Sequence, residues 1–388
     1  MLKKILYGFA FLILLAAVLE LSAGIYVRAA KLDKKLNYIK ERIGHYDQFT
    51  AGCYDRYLGY ALKPSTNNPV FTSDFEVVYS INSDGLRDRE INLAKPRGEF
   101  RIIALGESNV FGQGVSYGRR FTEVIEGALS KVRVINMGIP AFGMDQSFLQ
   151  LERDGFKFNP DLVILFVFAP YVQRCKYYEY SFGIKPRFVL NQKQNGLILE
   201  DMDYLENKLN YKIPNTRKVI AGDRNKNSPF DKINLFIIFN YYGKIKDIND
   251  RMREQDRAYY KQAFDKVAVF KLGVKEKAKG EFSKLVFLLL EKYKKLCDGH
   301  NAALLVVNID QSPIDYISEP CRALQIPCLD LSGALLKASK RRQLRFEVDP
   351  HYNEFTHKVI GELVGDYIQK RYSLENNKDY RYEYLGKF

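Results

Sequence analysis

Short runs of aliphatic residues alternate with longer amphipathic stretches along two parts of this chain. The runs Arg101–Leu105, Arg133–Asn136, Leu162–Phe168, Ala303–Asn308 and Pro327–Asp330 are rich in Val, Ile and Leu and bounded by turn residues. Continuous apolar runs of this length suit strands covered on both faces. Between them the apolar period lengthens and predicts helices at Phe121–Leu129, Asp145–Asp154, Glu281–Leu296, Ile314–Leu324 and Gly333–Ser339, with a last helix at His357–Arg371. Strand and helix in alternation predict a parallel sheet of about five strands in an α/β fold.

Two stretches break that rhythm. Ile5–Val27 is apolar apart from Glu20 and a few small residues. At about 23 residues it is long enough to cross a hydrocarbon core of ~30 Å. Lys3 and Lys4 precede it. A retained anchor and a cleaved signal peptide, with Ser22-Ala23-Gly24 as a weak cleavage site, are the two readings. Arg28, Lys31, Lys34 and Lys35 follow the span and argue against an outward domain by the positive-inside rule. The large folded part behind a short basic tail argues for one. The second stretch, Gln173–Gly280, is basic and rich in Asn and Tyr, with a strand pair expected near Phe188–Leu199 and helices around Ile233–Phe270. So long a segment without structure is implausible. It is read as an insertion folding over the sheet edge near the site. Lys31–Tyr46 reads as a polar helix, and Cys53–Asn82 as small strands laid against the main domain. The organisation expected is an anchor at 1–30, a juxtamembrane helix and accessory strands at 31–99, an α/β domain at 100–372 with its insertion at about 173–280, and a polar tail at 373–388.

The formal charge of +14 can bind nucleic acid, an anionic membrane surface or acidic polysaccharide, but no nucleic-acid motif accompanies it, and it is read as solvated surface. Five cysteines at irregular spacing form neither a disulfide framework nor a zinc pattern. Cys321 and Cys328 are the one pair placed to bridge in an oxidising compartment.

The candidate chemistry sits at strand ends. The first strand stops at Gly106-Glu107-Ser108, with Gly112 and Gly114 beyond it, which puts a serine hydroxyl where open α/β sheets bind ligands. A nucleophilic serine needs a base, an orienter for the base and oxyanion donors. Asp349-Pro350-His351, just before the last helix, offers an imidazole with a carboxylate two residues away. Of the other histidines, His45 and His300 lack an obvious partner, and His357 suits capping or packing. After the second strand, Gly138 lets the backbone approach a ligand and offer its N–H.

These blocks resemble the GDSL/SGNH hydrolase superfamily, in particular its membrane-anchored bacterial members. The first block is Gly106-Glu107-Ser108 through Gly112, the second runs from Asn136 to Gly143 with Asp145-Gln146 following, and the last is Asp349, His351 and Asn353. Leu58–Pro64 and Asn82–Glu90 resemble what precedes the domain in anchored members. The resemblance covers about Tyr54–Cys175 and Leu304–Tyr372. It implies an SGNH, flavodoxin-like three-layer sandwich, with Ser108 as nucleophile, His351 as base and Asp349 as its orienter. The oxyanion would rest on the N–H groups of Ser108 and Gly138, and neither metal nor organic cofactor would be needed. The implied reaction is ester hydrolysis or transfer of an acyl group to a sugar hydroxyl, on an acylated glycan or small ester. The implied place is the outer side of the inner membrane, in a single-pass protein held through residues 5–27. Two departures stand out. Glu107 replaces an Asp, and Pro170 occupies the position of an oxyanion-holding Asn. Proline offers no N–H, so the neighbouring Tyr171 hydroxyl is the candidate substitute. The rival expectation is an SGNH-fold protein without turnover, binding glycan or serving among polysaccharide-assembly proteins.

Overall fold

The computed structural model describes residues 2–29, 52–72, 74–180, 183–191, 195–209 and 276–380. The helices expected at Lys31–Tyr46 and around Ile233–Phe270 lie outside the described residues. The chain forms two compact units, Met1–Gln48 with Ile213–Ala258, and Phe49–Lys212 with Tyr259–Phe388.

In the first unit the described element is a helix, Leu2–Ala29. Its side chains are described from Phe11 to Tyr26 only, and Phe11, Leu12, Ile13 and Leu14 are exposed. Among the described residues no helix is long and apolar enough to cross a membrane.

The second unit is built on five parallel strands, β1 (Phe100–Leu105), β2 (Val132–Asn136), β3 (Leu162–Val167), β4 (Ala303–Asn308) and β5 (Cys328–Asp330). Their order is β5-β4-β3-β1-β2, which is the flavodoxin-like order read from the other edge. The chain moves one way from β1 to β2 and the opposite way from β2 through β5. Right-handed crossovers therefore place the helix Phe121–Ala128 on one face and the helices Met144–Gln150, Glu276–Gly299 and Asp315–Ala323 on the other. The last helix, Glu354–Tyr372, packs on Phe121–Ala128. Gly361 makes that contact close, since a Cβ there would stand 2.5 Å from Val124 side-chain carbons. With both faces covered, β2 and β3 are buried along their whole length, and each buried Val, Leu or Ile contributes about 1.5–3 kcal/mol.

Several of the expected helix limits move: the helix expected at Glu281–Leu296 runs from Glu276 to Gly299, and two other shifts have a local cause. The last helix starts at Glu354 because Asn353 caps it, its side chain accepting from the Thr356 N–H. The helix expected at Asp145–Asp154 is regular only over Met144–Gln150, then widens into a π-turn at Leu151–Gly155.

Two hairpins, Gly52–Asp55 with Gly59–Leu62 and Thr66–Phe71 with Glu76–Ile81, lay Tyr60, Leu62, Val70, Val77, Tyr79 and Ile81 into the main core. The hairpin expected near Phe188–Leu199 pairs Arg187–Asn191 with Gly196–Glu200. It packs on the helices Met144–Gln150 and Glu276–Gly299, where Phe188 meets Phe148 edge-on at 5.7 Å. Just before it, Lys185 donates to Asp145 at 2.6 Å in a fully buried ion pair. Burial pushes the Asp145 carboxyl up, and the lysine charge pulls it back. The five cysteines are free thiols.

Candidate active site

The candidate residues gather where β1 has β2 on one side and β3 on the other, at the carboxyl ends of the strands, where open α/β sheets bind ligands. There β1 ends and the chain turns within two residues. Gly106 permits the turn, because a Cβ on it would meet Val110 Cγ2 at 2.3 Å and the Phe166 carbonyl at 3.3 Å. Glu107 caps the short helix Ser108–Phe111, accepting from the Asn109 N–H at 3.1 Å, and Gly112 closes it at φ +79. Arg87 clamps the far end of that helix. Its guanidinium donates to the carbonyls of Phe111, Gly112 and Val115 at 3.0, 2.6 and 2.7 Å. Burial, then the nearby Arg120 charge, push Arg87 down to about 9. Ser108 is thus held on a rigid turn, nearly buried.

The loop after β5 brings the base. His351 Nε2 lies 2.7 Å from Ser108 Oγ, and His351 Nδ1 lies 2.5 Å from Asp349 Oδ1. With Nδ1–H donating to the carboxylate, Nε2 is left to accept from the serine. Asp349 Oδ1 also accepts from the His351 N–H at 2.8 Å. The Val348 and Asp349 N–H groups donate to Asp74 Oδ2 at 2.9 and 2.6 Å. Arg345 donates to the Pro350 carbonyl. Tyr352 N–H donates to Asn109 Oδ1 at 3.2 Å, and its hydroxyl to the Ile309 carbonyl at 2.6 Å. The base loop is therefore tied to the nucleophile helix and to the end of β4.

The oxyanion side is arranged differently. No hydrogen bond among the described residues takes the Ser108 N–H. The Gly138 N–H, expected to serve as the second donor, gives its hydrogen bond to Asn136 Oδ1 at 3.0 Å. Asn136 in turn donates to the Val110 carbonyl at 2.6 Å, and its N–H donates to Asp88 at 3.0 Å. Gly138 is packed so tightly that a Cβ would stand 2.4 Å from the Phe111 nitrogen. Pro170 lies in the first turn of the helix Ala169–Gln173, and the Ala169 N–H before it donates to Asp310 at 3.1 Å. Tyr171 does not stand in for the missing donor. The helix turns it into the core, fully buried, with Ser147 and Tyr293 near its hydroxyl and its acidity suppressed by burial.

Two charged groups flank the serine. Glu107 Oε2 makes a short hydrogen bond with Ser108 Oγ, and Glu107 Oε1 also accepts from Asn109 Nδ2 at 2.7 Å. Arg174 donates to the Phe142 carbonyl at 2.9 Å and stands 3.7 Å from Glu107 Oε2. Burial presses the Glu107 carboxyl upward. The Arg174 charge, the neighbouring His351 and hydrogen bonds from Ser108 and Asn109 outweigh it and hold the group below the usual carboxylate range.

The other described histidines are structural. His357 Nδ1 accepts from the Phe121 N–H at 3.1 Å, and its ring stacks on Phe121. Burial, then Arg120 and Arg87, push it down to about 3. His300 stacks on Phe156 at 3.9 Å.

No protein-family model and no curated protein matches the chain. Solved structures do. A lipase/acylhydrolase from Enterococcus faecalis aligns at 10% identity over 72% of this chain and 100% of its own, with a TM-score of 0.34. A member of the lipolytic G-D-S-L family from Veillonella parvula aligns at 14% identity over 68% of this chain and 94% of its own, TM-score 0.34. The acetyl xylan esterase Est2A from Butyrivibrio proteoclasticus aligns at 9% identity over 72% of this chain and 66% of its own, TM-score 0.36.

Sequence reasoning missed several residues that shape the crevice. Asp74 and Arg174 carry no local signal, because each acts on a loop far away in the chain. Arg87 stands in the stretch Asn82–Glu90, singled out by resemblance, but nothing in that stretch reveals that its guanidinium braces the nucleophile helix. Asn109 follows the serine directly, and its two contacts, to Glu107 and Tyr352, depend on the fold.

Proposed function

We propose that this chain is an extracytoplasmic serine esterase or O-acyltransferase acting on an acyl ester of a carbohydrate or of the cell envelope. The hydrogen-bonded series Ser108–His351–Asp349 carries the reading. Ser108 Oγ attacks the acyl carbonyl while His351 Nε2 takes its proton, and Asp349 holds Nδ1–H and balances the imidazolium. The Ser108 N–H meets the oxyanion. Collapse expels the alcohol, which leaves with the proton from His351. Water, or a sugar hydroxyl in a transferase, then attacks the acyl-enzyme with His351 again as base. The apolar run at residues 5–27 supports a single-pass anchor in the inner membrane, with the catalytic unit outside.

The test is hydrolysis of small acetyl esters by the wild type beside Ser108→Ala and His351→Ala. Each variant is expected to lose about 10⁴-fold or more in kcat, and the double variant little beyond that, because the two groups act as one unit. Equal rates for wild type and Ser108→Ala sink the hydrolase reading.

A second reading is favoured by Pro170 and by the Gly138 N–H turned to Asn136. In it the fold binds an acylated glycan, or partners in polysaccharide assembly, without turnover. It expects glycan binding unchanged in Ser108→Ala and no labelling of Ser108 by a fluorophosphonate. Labelling that His351→Ala abolishes rules it out.

A further inference from the structure

Ser108 Oγ carries one proton and faces two acceptors. One is His351 Nε2 at 2.7 Å. The other is Glu107 Oε2, in short contact with the same oxygen. The catalytic series needs the proton to point at the imidazole. A carboxylate is the stronger acceptor, since charge-assisted hydrogen bonds are roughly twice as strong as neutral ones. Glu107 is 2% exposed, so water does not weaken its hold. Its other oxygen is fixed by the Asn109 N–H and Nδ2, which aims Oε2 at the serine. An aspartate capping the same N–H would end one methylene short of Oγ.

We propose that Glu107 is a positioning residue that restrains the nucleophile, holding the Ser108 hydroxyl proton away from His351 in the resting site, with Arg174 as the cation toward which its carboxylate turns when the serine is released. The Arg174 guanidinium stands 3.7 Å from Oε2 and is fastened to the Phe142 carbonyl, next to the glycine-containing loop after β2. A small rotation of the Glu107 side chain shortens that ion pair and opens the serine contact. An acyl group entering beside the Ser108 N–H supplies the displacement. The inference rests on the proposed reading of Ser108 as nucleophile.

The experiment is the second-order rate of fluorophosphonate labelling on the detergent-solubilised full chain, for wild type, Glu107→Asp, Glu107→Gln and Ser108→Ala. In labelling, the Ser108 Oγ–P bond forms, fluoride leaves and His351 takes the serine proton. Glu107→Asp keeps the charge and the helix cap and shortens the reach. It is expected to label about tenfold faster than wild type, the worth of one hydrogen bond to a charged group. Glu107→Gln keeps the length and removes the charge. It is expected to label faster as well, and it decides the matter if Glu107→Asp loses its near-UV circular dichroism. An equal or slower rate in the folded variant, with the wild type labelled, overturns the restraint and leaves the nucleophile reading intact. No labelling in wild type or in either Glu107 variant overturns both.

Discussion

On the base side of the crevice the acceptors are matched with donors. Asp349 takes two hydrogen bonds from His351, its own N–H is held by Asp74, and Tyr352 joins the loop to Asn109 and to Ile309. On the oxyanion side the chain offers the Ser108 N–H, while Gly138 serves Asn136 and Pro170 has nothing to give. The base side is assembled by local chain, since Asp349 and His351 are two residues apart. The oxyanion side draws on three separate strand ends, and Pro170 at the third offers no donor. The two sides of one site are thus exposed to sequence change in unequal degree.

The largest test of this contrast is Asp349→Asn. An amide there favours the wrong imidazole tautomer, and kcat is expected to fall by about 10⁴-fold with KM little changed. A drop under tenfold means that the Asp349 contact does not orient the base. Next comes Pro170→Asn, which places a side-chain donor at the third strand end. A rise in kcat of about 10²-fold is expected, with an unchanged thermal midpoint as the control. No rise means that other groups already fill the hole.

The pH dependence of the fold must be kept apart from that of the site. His357 titrates at about 3 in the folded chain and near 6.5 unfolded. Between those values the unfolded state binds more protons. The stability from burying neutral His357 is therefore complete above pH 6.5 and is lost as pH falls toward 3. Urea unfolding of the wild type is expected to lose about 2 kcal/mol between pH 6.5 and 5, and His357→Gln to flatten that slope. A slope unchanged in the variant assigns it to other groups. The smallest effect is Tyr352→Phe, which leaves the buried Ile309 carbonyl without its donor. About 1 kcal/mol of stability is expected to go, with a severalfold fall in kcat as the base loop loosens. Full activity at reduced stability restricts the tyrosine to a structural tie.

Much of this was legible in the sequence. The five strands stand within a residue or two of their apolar runs; for β1 to β4, burial on both faces leaves few polar positions to blur the limits, while the short edge strand β5 is largely exposed. The meeting of Ser108 with Asp349 and His351 was legible because Ser108 follows the first strand and the Asp349–His351 block supplies the imidazole and carboxylate a serine nucleophile needs, although it lies beyond the helix Ser332–Ser339. Direction was harder to read. The sequence places Gly138 and Tyr171 near the crevice, but whether an N–H or a hydroxyl faces it depends on backbone rotation. The Gly138 N–H turned to a neighbouring side chain, and the Tyr171 ring turned into the core. The supports from Asp74, Arg87 and Arg174 were invisible for a different reason, since each joins segments far apart in the chain.

The ion pair between Lys185 and Asp145 limits how the chain can be shortened. It fastens the segment before the hairpin to the helix Met144–Gln150 with two charges that water does not reach. Deleting the segment would strand the aspartate as a lone buried anion, at a cost of about 3–5 kcal/mol. A variant shortened through Lys185 must therefore also neutralise Asp145.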